Sequence, residues 1–387
     1  MCEILDTERV NRNGAKMVSV NEAVGMIIPH DITEIIPGEF KGRAFKKGHI
    51  VSEEDIVHLK RLGKENLFIL EIMENEMHEN DAAYAIAKAL AGEGVEISGE
   101  PNEGKINLIA SRDGLLKINR EALLKFNMLG EVMCATLHDN SVVKKGQVVA
   151  GTRAIPLVVK RKVVEEAVAI AERVRGQSTT HGGSGVRRSG VLEVREMRKP
   201  KTGIVITGNE VYYGRIKDAF APILTEKLKN IEGEIIGIHY APDNAEYIGN
   251  KIRELITAGA DLIITTGGMS VDPDDVTRFA IRNLGAEGIT YGSPVLPGSM
   301  FLVAYIEDSN KLSVTGNQIK HGKEDLSLVT RHSSLITILG IPACGMYANI
   351  TVFDLILPRV LAGEKIGRRE VAELGHGGLC LKCKDCR

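Results

Sequence analysis

Strand-like and helix-like segments alternate through the region from about residue 201 to residue 361. Three short apolar runs have the composition of buried strands, and each is followed by apolar residues at helical spacing. These runs are 203–207, 235–238 and 261–264. The β-α-β-α-β-α order predicts an α/β domain of three layers, with a mainly parallel sheet between helices. Ligands of such sheets bind outside the carboxyl ends of the strands.

The third strand leads into a glycine-containing, acidic run, Thr-Thr-Gly-Gly-Met-Ser-Val-Asp-Pro-Asp-Asp-Val-Thr at 265–277, which overlaps a helix-like stretch from Asp274 to Leu284. Glycines let the backbone approach a ligand, and free N–H groups at a helix start attract an anion. Carboxylates in the same place repel that anion unless a divalent cation lies between them. The run therefore predicts a site for a phosphorylated ligand with Mg²⁺. The alternative is that Asp272 and Asp274 only cap the helix.

Composition narrows the class of protein. A length of 387 residues favours two or three domains. The formal net charge of −2 gives no basic footprint, and aromatic residues make up only 4% with no tryptophan. Both features argue against nucleic-acid binding.

The sequence also argues against a membrane protein. The N-terminal residues are too charged for a signal peptide, and the longest apolar stretch, 335–356, is interrupted by proline, asparagine and aspartate. We therefore expect a cytoplasmic location and no membrane contact.

The first 175 residues have shorter strand-like pieces. Two segments, 45–51 and 143–149, each place a Lys-Lys-Gly turn before a strand, which indicates an internal repeat. Helices are predicted at about 81–91, which is rich in alanine, and at about 163–174. This region is predicted to be an α+β domain with small barrel-like parts.

A polar Gly/Ser-rich segment at 176–190 has the composition of a linker. The predicted organisation is an N-terminal α+β domain at 1–175, a linker at 176–200, the α/β domain at 201–365 and a cysteine-containing tail at 366–387.

The Thr-Thr-Gly-Gly run, with Thr207, Gly208 and Glu210 upstream, resembles the molybdopterin-binding domain. That domain occurs in molybdopterin molybdenumtransferases, molybdopterin adenylyltransferases and the competence/damage-inducible protein family. The resemblance covers about 201–361, a little under half of the chain.

The resemblance implies molybdopterin as substrate or ligand and assigns roles to several residues. Asp275 and Glu210 would bind Mg²⁺, Gly267 and Gly268 would hold the phosphate, and Ser270 would bind the molybdate oxyanion. Asp275, Glu210 and Ser270 form the implied catalytic group. The further residues expected to line the pocket are Thr207, Gly208, Thr266, Asp274, Pro297, Gly298, Gly340 and Pro342.

The activity implied by the resemblance is Mg²⁺-dependent insertion of molybdate into molybdopterin by a transferase. Two departures keep alternatives open. The Gly-Leu-Pro-Gly-Asn-Pro loop of the transferases is Gly-Ile-Pro-Ala-Cys-Gly at 340–345, and their Thr-Gly-Ala and Gly-Ala-Asp segment is absent from 1–175. The alternatives are a non-catalytic molybdopterin carrier or sensor, and a nucleotide pyrophosphatase of the competence/damage-inducible type. The resemblance further implies a homo-oligomer and contacts with other proteins of molybdenum cofactor biosynthesis.

Three cysteines, Cys380, Cys383 and Cys386, end the chain at Cys-x2-Cys-x2-Cys spacing. Without a secretion signal this spacing favours metal binding over disulfides. With His376 the thiolates would complete a zinc site, and the spacing also resembles the start of an iron–sulfur run. The alternative is a tail with reactive thiols.

Overall fold

The computed structural model describes residues 15–26, 28–36, 40–70, 73–176, 190–269, 276–308 and 334–379. The chain divides into two compact units, Met1–Arg195 and Glu196–Arg387, called unit 1 and unit 2 below. No helix within the described ranges is long and apolar enough to cross a membrane.

Unit 1 mixes helices with small antiparallel sheets, which agrees with the predicted α+β class. A four-stranded sheet has the order β6-β7-β11-β9, a three-stranded sheet has the order β10-β8-β13, and three strand pairs are β1-β4, β2-β3 and β12-β5. The bounds are β1 Ala15–Ser19, β2 Ile32–Ile36, β3 Phe40–Phe45, α1 Glu53–Arg61, β4 Asn66–Leu70, β5 Glu76–His78, α2 Glu79–Leu90, β6 Val95–Asn102, β7 Lys105–Ala110, β8 Gly114–Ile118, α3 Arg120–Asn127, β9 Val132–Thr136, β10 Val142–Val143, β11 Val148–Ala154, β12 Val158–Lys160, α4 Arg161–Gly176 and β13 Leu192–Arg195.

Unit 1 contains two separate hydrophobic cores. The larger one surrounds α2, whose alanines are small enough to let this helix pack closely on α4 and on the four-stranded sheet. The smaller core is made only by residues between 18 and 67, among them Ile32, Phe45 and Leu59. The first part of unit 1 is thus packed around apolar side chains of its own.

The first Lys-Lys-Gly turn is closed by an aspartate. The backbone N–H of Lys47 donates to Asp31 Oδ1 at 2.7 Å, and the N–H of Gly48 donates to the carbonyl of Ile28 at 2.8 Å. Gly48 has a φ of +85°, in the left-handed region that favours glycine.

The second Lys-Lys-Gly turn has the same bonds. The N–H of Lys145 donates to Asp113 Oδ1 at 2.8 Å, and the N–H of Gly146 donates to the carbonyl of Ala110 at 2.7 Å. Gly146 has a φ of +82°. In both turns the aspartate lies three residues after the accepting carbonyl, so the two turns share these hydrogen bonds. The second turn leads into β11 as predicted, but the first is followed by α1 and not by a strand.

The linker predicted for 176–200 overlaps a strand of unit 1. Residues 177–189 lie outside the described ranges, but Leu192–Arg195 form β13, which pairs antiparallel with β8. Val191, Leu192 and Val194 are buried in the larger core. These alternating apolar residues favour pairing over a free linker.

Unit 2 contains one six-stranded sheet of order β15-β14-β16-β19-β18-β17. The first four strands are parallel and the last two are antiparallel to their neighbours. The bounds are β14 Lys201–Thr207, α5 Asn209–Tyr212, α6 Phe220–Lys229, β15 Glu234–Ala241, α7 Ala245–Thr257, β16 Leu262–Thr266, α8 Thr277–Asn283, β17 Glu287–Tyr291, β18 Leu302–Asp308, β19 Ser334–Ile341, α9 Val352–Leu361 and α10 Arg368–Ala372.

Both faces of this sheet are covered. Ile204 and Ile206 point into a core shared with α6 and α9, whereas Val205 and Ile263 point into a second core shared with α7 and α8. Because successive side chains of a strand face opposite sides, a strand buried on both faces is apolar throughout. The mainly parallel three-layer domain predicted from the sequence is therefore confirmed.

Candidate functional site

The parallel strands of unit 2 end in polar residues and turns at one edge of the sheet. Thr207 ends β14, Thr266 ends β16 and Ile341 ends β19. Thr266 pairs in register with Ile206 and with Ile341, so these three ends are neighbours. Pro342 follows β19 at the same edge. This is where ligands of open α/β sheets bind.

The hydroxyl of Thr207 connects three elements at this edge. It donates to the carbonyl of Thr266 at 2.7 Å, and its oxygen lies 3.2 Å from the hydroxyl of Thr277 at the start of α8. All three threonines are buried. Sequence reasoning missed Thr277, although a threonine at the first residue of a helix after an acidic run is a usable signal.

The hydroxyl of Thr266 is different, because this buried group has no hydrogen-bond partner among the described residues. Leaving a buried hydroxyl unpaired costs about 1–3 kcal/mol. An unpaired polar atom at the carboxyl edge of a parallel sheet fits a ligand that accepts or donates a hydrogen bond there.

The Gly-Gly turn that follows β16 is packed against the same threonines. Gly267 and Gly268 have φ values of +76° and +57°. A Cβ on Gly267 would lie 2.5 Å from the carbonyl oxygen of Thr207, and one on Gly268 would overlap the Thr277 hydroxyl. Packing within the protein therefore already requires glycine at both positions, whatever a ligand adds.

Met269 fixes the next part of the turn. Its carbonyl accepts a hydrogen bond from the hydroxyl of Tyr291 at 2.5 Å. Its buried side chain lies over Gly340, where a Cβ would come 2.5 Å from Met269 Cε. Gly340 therefore belongs to the same packed edge as the Gly-Gly turn.

The segment with Pro297 and Gly298 precedes β18. Leu302, the first residue of β18, pairs with Gly340 near the end of β19, because the two strands are antiparallel. Gly298 has a φ of +130° and lies against Val352 at the start of α9.

Glu210 lies beside Gly208 at the start of α5. Gly208 is buried with a φ of +137°, and a Cβ there would come 2.8 Å from the exposed Glu210 carboxylate. Asn209 and Asp243 exchange two hydrogen bonds through their backbone N–H groups, of 2.9 and 3.2 Å. Asp243 fixes this loop, whereas the sequence pattern predicts it as the cap of the next helix, a role taken by Asn244.

Several predicted residues lie outside the described ranges. These are Ser270, Asp274, Asp275, Cys380, Cys383 and Cys386. His376 is described and is exposed after the last turn of unit 2. Within the described part of the chain, no group of three or more histidines, cysteines, aspartates and glutamates could hold a metal ion.

Cys344 lies two residues beyond Pro342. Burial raises the pKa of its thiol, against smaller opposing effects from hydrogen bonds of the local backbone. The group is therefore a neutral thiol at neutral pH.

Two family models match the chain, one in each unit. A model described as "Probable molybdopterin binding domain" matches residues 203–362. Unit 2 carries a domain of the molybdopterin-binding family. The resemblance inferred from the Thr-Thr-Gly-Gly run is thereby confirmed. A second model, described as a domain of unknown function, matches residues 17–71, the part of unit 1 with the smaller core.

Individual relatives match shorter stretches. A CinA-like protein of Mycobacterium avium is 38% identical over 89 residues, which are 22% of this chain and 20% of that protein. A molybdopterin molybdenumtransferase of Synechococcus elongatus is 26% identical over 140 residues, 34% of this chain and 35% of that protein. The chain thus spans from a fifth to about a third of the length of these curated relatives.

One similar solved structure is that of the tungsten cofactor synthesizing protein MoaB from Pyrococcus furiosus. It is 14% identical, with a TM-score of 0.32, and the alignment covers 43% of this chain and 98% of that chain.

Proposed function

We propose that unit 2 binds molybdopterin at the carboxyl edge of its sheet and assists the Mg²⁺-dependent insertion of molybdate. The observation that carries this proposal is the meeting of Thr207, Thr266, the Gly-Gly turn and Gly340 at one edge, inside the stretch matched by the molybdopterin-binding family.

The chain supplies hydrogen-bond donors and carboxylates for this task. The hydroxyl hydrogen of Thr207 bonds to the carbonyl of Thr266. The hydroxyls of Thr265 and Thr266 are both buried without a partner among the described residues, and we assign that of Thr266, the last residue of β16, to an oxyanion. Ser270 is the second hydroxyl donor we assign. Backbone N–H groups of the Gly-Gly turn would hold the phosphate.

Glu210 and Asp275 are the carboxylates we assign to Mg²⁺. This ion keeps several waters and is usually bound through one or two carboxylates together with phosphate oxygens of the substrate. Two carboxylates are therefore enough, and Glu210 is exposed beside the edge where the phosphate would lie. The bound ion would neutralise phosphate and molybdate charge, which otherwise repels both carboxylates.

Calorimetric titration of molybdopterin into the full chain tests the proposal. We expect Mg²⁺-dependent binding that weakens about 100-fold or more in Asp275→Asn, since a lost metal ligand removes about 3 kcal/mol. The matched control is Glu287→Gln, because Glu287 is exposed at the start of β17, the opposite edge strand. Binding that survives in Asp275→Asn, or falls equally in the control, would contradict the assignment.

The second candidate is hydrolysis of a nucleotide pyrophosphate. The match to the CinA-like protein has the higher identity, 38% against 26% for the molybdenumtransferase, which favours keeping this candidate. The third candidate is a carrier or sensor that binds molybdopterin without catalysing a reaction. Release of AMP from ADP-ribose or NAD, without any molybdopterin binding, would favour the pyrophosphatase.

The remaining assignments follow from the proposal. We place the protein in the cytoplasm as a homo-oligomer that meets other proteins of cofactor biosynthesis. We also assign Zn²⁺ or an iron–sulfur cluster to Cys380, Cys383 and Cys386 with His376. Metal analysis of the purified chain and of Cys383→Ser checks this assignment, because losing one thiolate should lower the bound metal.

A further inference from the structure

Tyr291 ends β17, an edge strand of the unit 2 sheet, and its side chain reaches the Gly-Gly turn. It pairs with Leu302 of β18, which in turn pairs with Gly340 of β19. Met269 lies over Gly340, where the missing side chain leaves room for it, and its carbonyl accepts the Tyr291 hydroxyl at 2.5 Å. One side chain of the edge strand therefore bonds a turn that begins on the far side of β18 and β19, at the end of β16.

The ring of Tyr291 contacts a second element, the start of α8. The guanidinium carbon of Arg278, the second residue of α8, lies 4.4 Å from the centroid of this ring. A guanidinium within about 6 Å of an aromatic centroid is attracted to the face of the ring. The residue before Arg278 is Thr277, whose hydroxyl lies 3.2 Å from that of Thr207. Through its hydroxyl and its ring, Tyr291 thus contacts two elements that meet at the carboxyl edge.

The backbone of Tyr291 is itself held from two sides. Its strand pairs antiparallel with β18, and Arg368 Nη1 of α10 donates to the carbonyls of Tyr291 at 3.0 Å and Gly292 at 3.2 Å. Because the backbone is fixed and the ring is half-buried, the hydroxyl acts on the Met269 carbonyl from a fixed base.

The two contacts of Tyr291 bracket residues that carry the proposed ligand contacts. The Gly-Gly turn is assigned to the phosphate, and Asp275, assigned to Mg²⁺, lies between Met269 and Arg278 in the sequence. Because peptide groups are planar, a hydrogen bond to the Met269 carbonyl fixes the whole peptide group at the end of the turn. Fixing the two ends of a segment also reduces the entropy that it loses when it binds a ligand.

We propose that Tyr291 is a positioning residue of the molybdopterin site: its hydroxyl holds the Gly-Gly turn and its ring holds the start of α8. It acts on the ligand through Met269 and Arg278. This inference rests on the function proposed above, and it adds to that site a residue from the edge strand β17.

The gain in molybdopterin affinity on adding Mg²⁺ tests the inference, measured by calorimetry on the full chain. Tyr291→Phe keeps the ring and loses the hydroxyl. Its gain should be about tenfold smaller than that of the parent, which is the upper end of what one hydrogen bond between neutral groups contributes. A loss of folded protein lowers the affinity equally with and without Mg²⁺, so a purely structural effect cancels in this ratio. Hydrogen exchange without ligand should also be faster in peptides of Tyr291→Phe that contain 265–269.

Tyr305→Phe is the matched control, because Tyr305 makes the same two kinds of contact in the same sheet. Its hydroxyl donates to the Ile366 carbonyl at 3.1 Å and accepts the Ile366 N–H at 2.5 Å, and Lys365 Nζ lies 5.5 Å from its ring centroid. Tyr305 pairs with Thr337, three residues before Gly340 in β19 and so farther from the carboxyl edge. We expect this variant to lose stability and to keep the full gain from Mg²⁺.

The outcomes separate the inference from the function on which it rests. No gain from Mg²⁺ in the parent chain would overturn the proposed function and this inference with it. A gain of equal size in the parent and in Tyr291→Phe would overturn the inference alone. An equally reduced gain in Tyr305→Phe, or unchanged exchange at 265–269 in Tyr291→Phe, would also overturn it.

Discussion

At the two Lys-Lys-Gly turns of unit 1, each aspartate carboxylate accepts a backbone N–H of the turn, at 2.7 and 2.8 Å. At the sheet edge of unit 2, the hydroxyl of Thr207 donates to the backbone carbonyl of Thr266, but the neighbouring hydroxyl of Thr266 is buried without a partner among the described residues. Glu210 at this edge is exposed.

This difference separates polar groups that hold the fold from polar groups that the fold leaves for a ligand. Folding favours pairing of every buried polar atom, because an unpaired one reduces stability. In unit 1 both turn aspartates are paired, whereas His30 Nδ1 and Arg153 Nε are buried without a partner among the described residues. Unit 2 leaves the buried Thr266 hydroxyl without a partner among the described residues. This hydroxyl lies where parallel strands end, the place where α/β sheets bind ligands.

The largest expected effect concerns Gly268, which is packed against Thr277 and therefore belongs to the residues that hold the fold. Gly268→Ala should lower the free energy of unfolding of unit 2 by about 3 kcal/mol, from backbone strain together with overlap on Thr277. Gly285→Ala is the control, since Gly285 also has a positive φ of +80° but no atom near its missing Cβ. That variant should lose only about 1 kcal/mol. Hydrogen exchange of unit 2 peptides measures both, and equal losses would show that crowding at Gly268 has no effect.

The next effect compares the two threonines directly. Thr207→Val should cost about 1–3 kcal/mol of stability, because it removes the donor to the carbonyl of Thr266. Thr266→Val should leave stability within about 0.5 kcal/mol and should still weaken molybdopterin binding by about fivefold. Denaturant unfolding and calorimetry on the two variants give these values. If Thr266→Val destabilises unit 2 as much as Thr207→Val, the Thr266 hydroxyl belongs to the fold.

The smallest effect concerns His78 of unit 1, a buried side chain whose two ring nitrogens both have partners. His78 caps α2: its Nδ1 accepts the N–H of Asn80 at 3.1 Å and lies 2.7 Å from Lys47 Nζ, while Nε2–H donates to the carbonyl of Pro29 at 2.9 Å. These partners assign the neutral tautomer with hydrogen on Nε2. Burial lowers the pKa of His78 below 6.5, and the charge on Lys47 lowers it further.

Stability of unit 1 should therefore fall as the medium is acidified. Below pH 6.5, the ordinary pKa of histidine, His78 binds a proton in the unfolded chain but not in the folded one. The loss of stability continues as the pH falls to the pKa of folded His78. Above pH 6.5 the contribution is fully present. Urea unfolding at several pH values should show a shallower acid loss in His78→Gln than in the parent or in His138→Gln, which alters an exposed histidine. Identical slopes in all three proteins would refute the neutral cap.

The strands of unit 2 and its carboxyl edge could be predicted from the sequence because both depend on local patterns. The apolar run 203–207 lies within β14, and the run 261–264 overlaps β16 in all but its first residue. The polar residues after these runs reach the same edge in any parallel sheet. The Thr-Thr-Gly-Gly run is likewise a local signal.

The distinction between Thr207 and Thr266 could not be predicted, because it depends on the pairing of residues 59 positions apart. The strand Leu192–Arg195 was missed for the same reason: it pairs with β8, far away in the sequence, and Gly/Ser-rich composition nearby indicated a linker.

The central claim is that the strand edge of unit 2, and no part of unit 1, binds molybdopterin. Hydrogen exchange of the full chain with and without molybdopterin and Mg²⁺ tests this most directly. We expect slower exchange in peptides that contain 206–210, 265–269 and 340–346, and unchanged exchange in the four-stranded sheet of unit 1. Protection confined to unit 1, or absent from all three edge segments at saturating ligand, would contradict it.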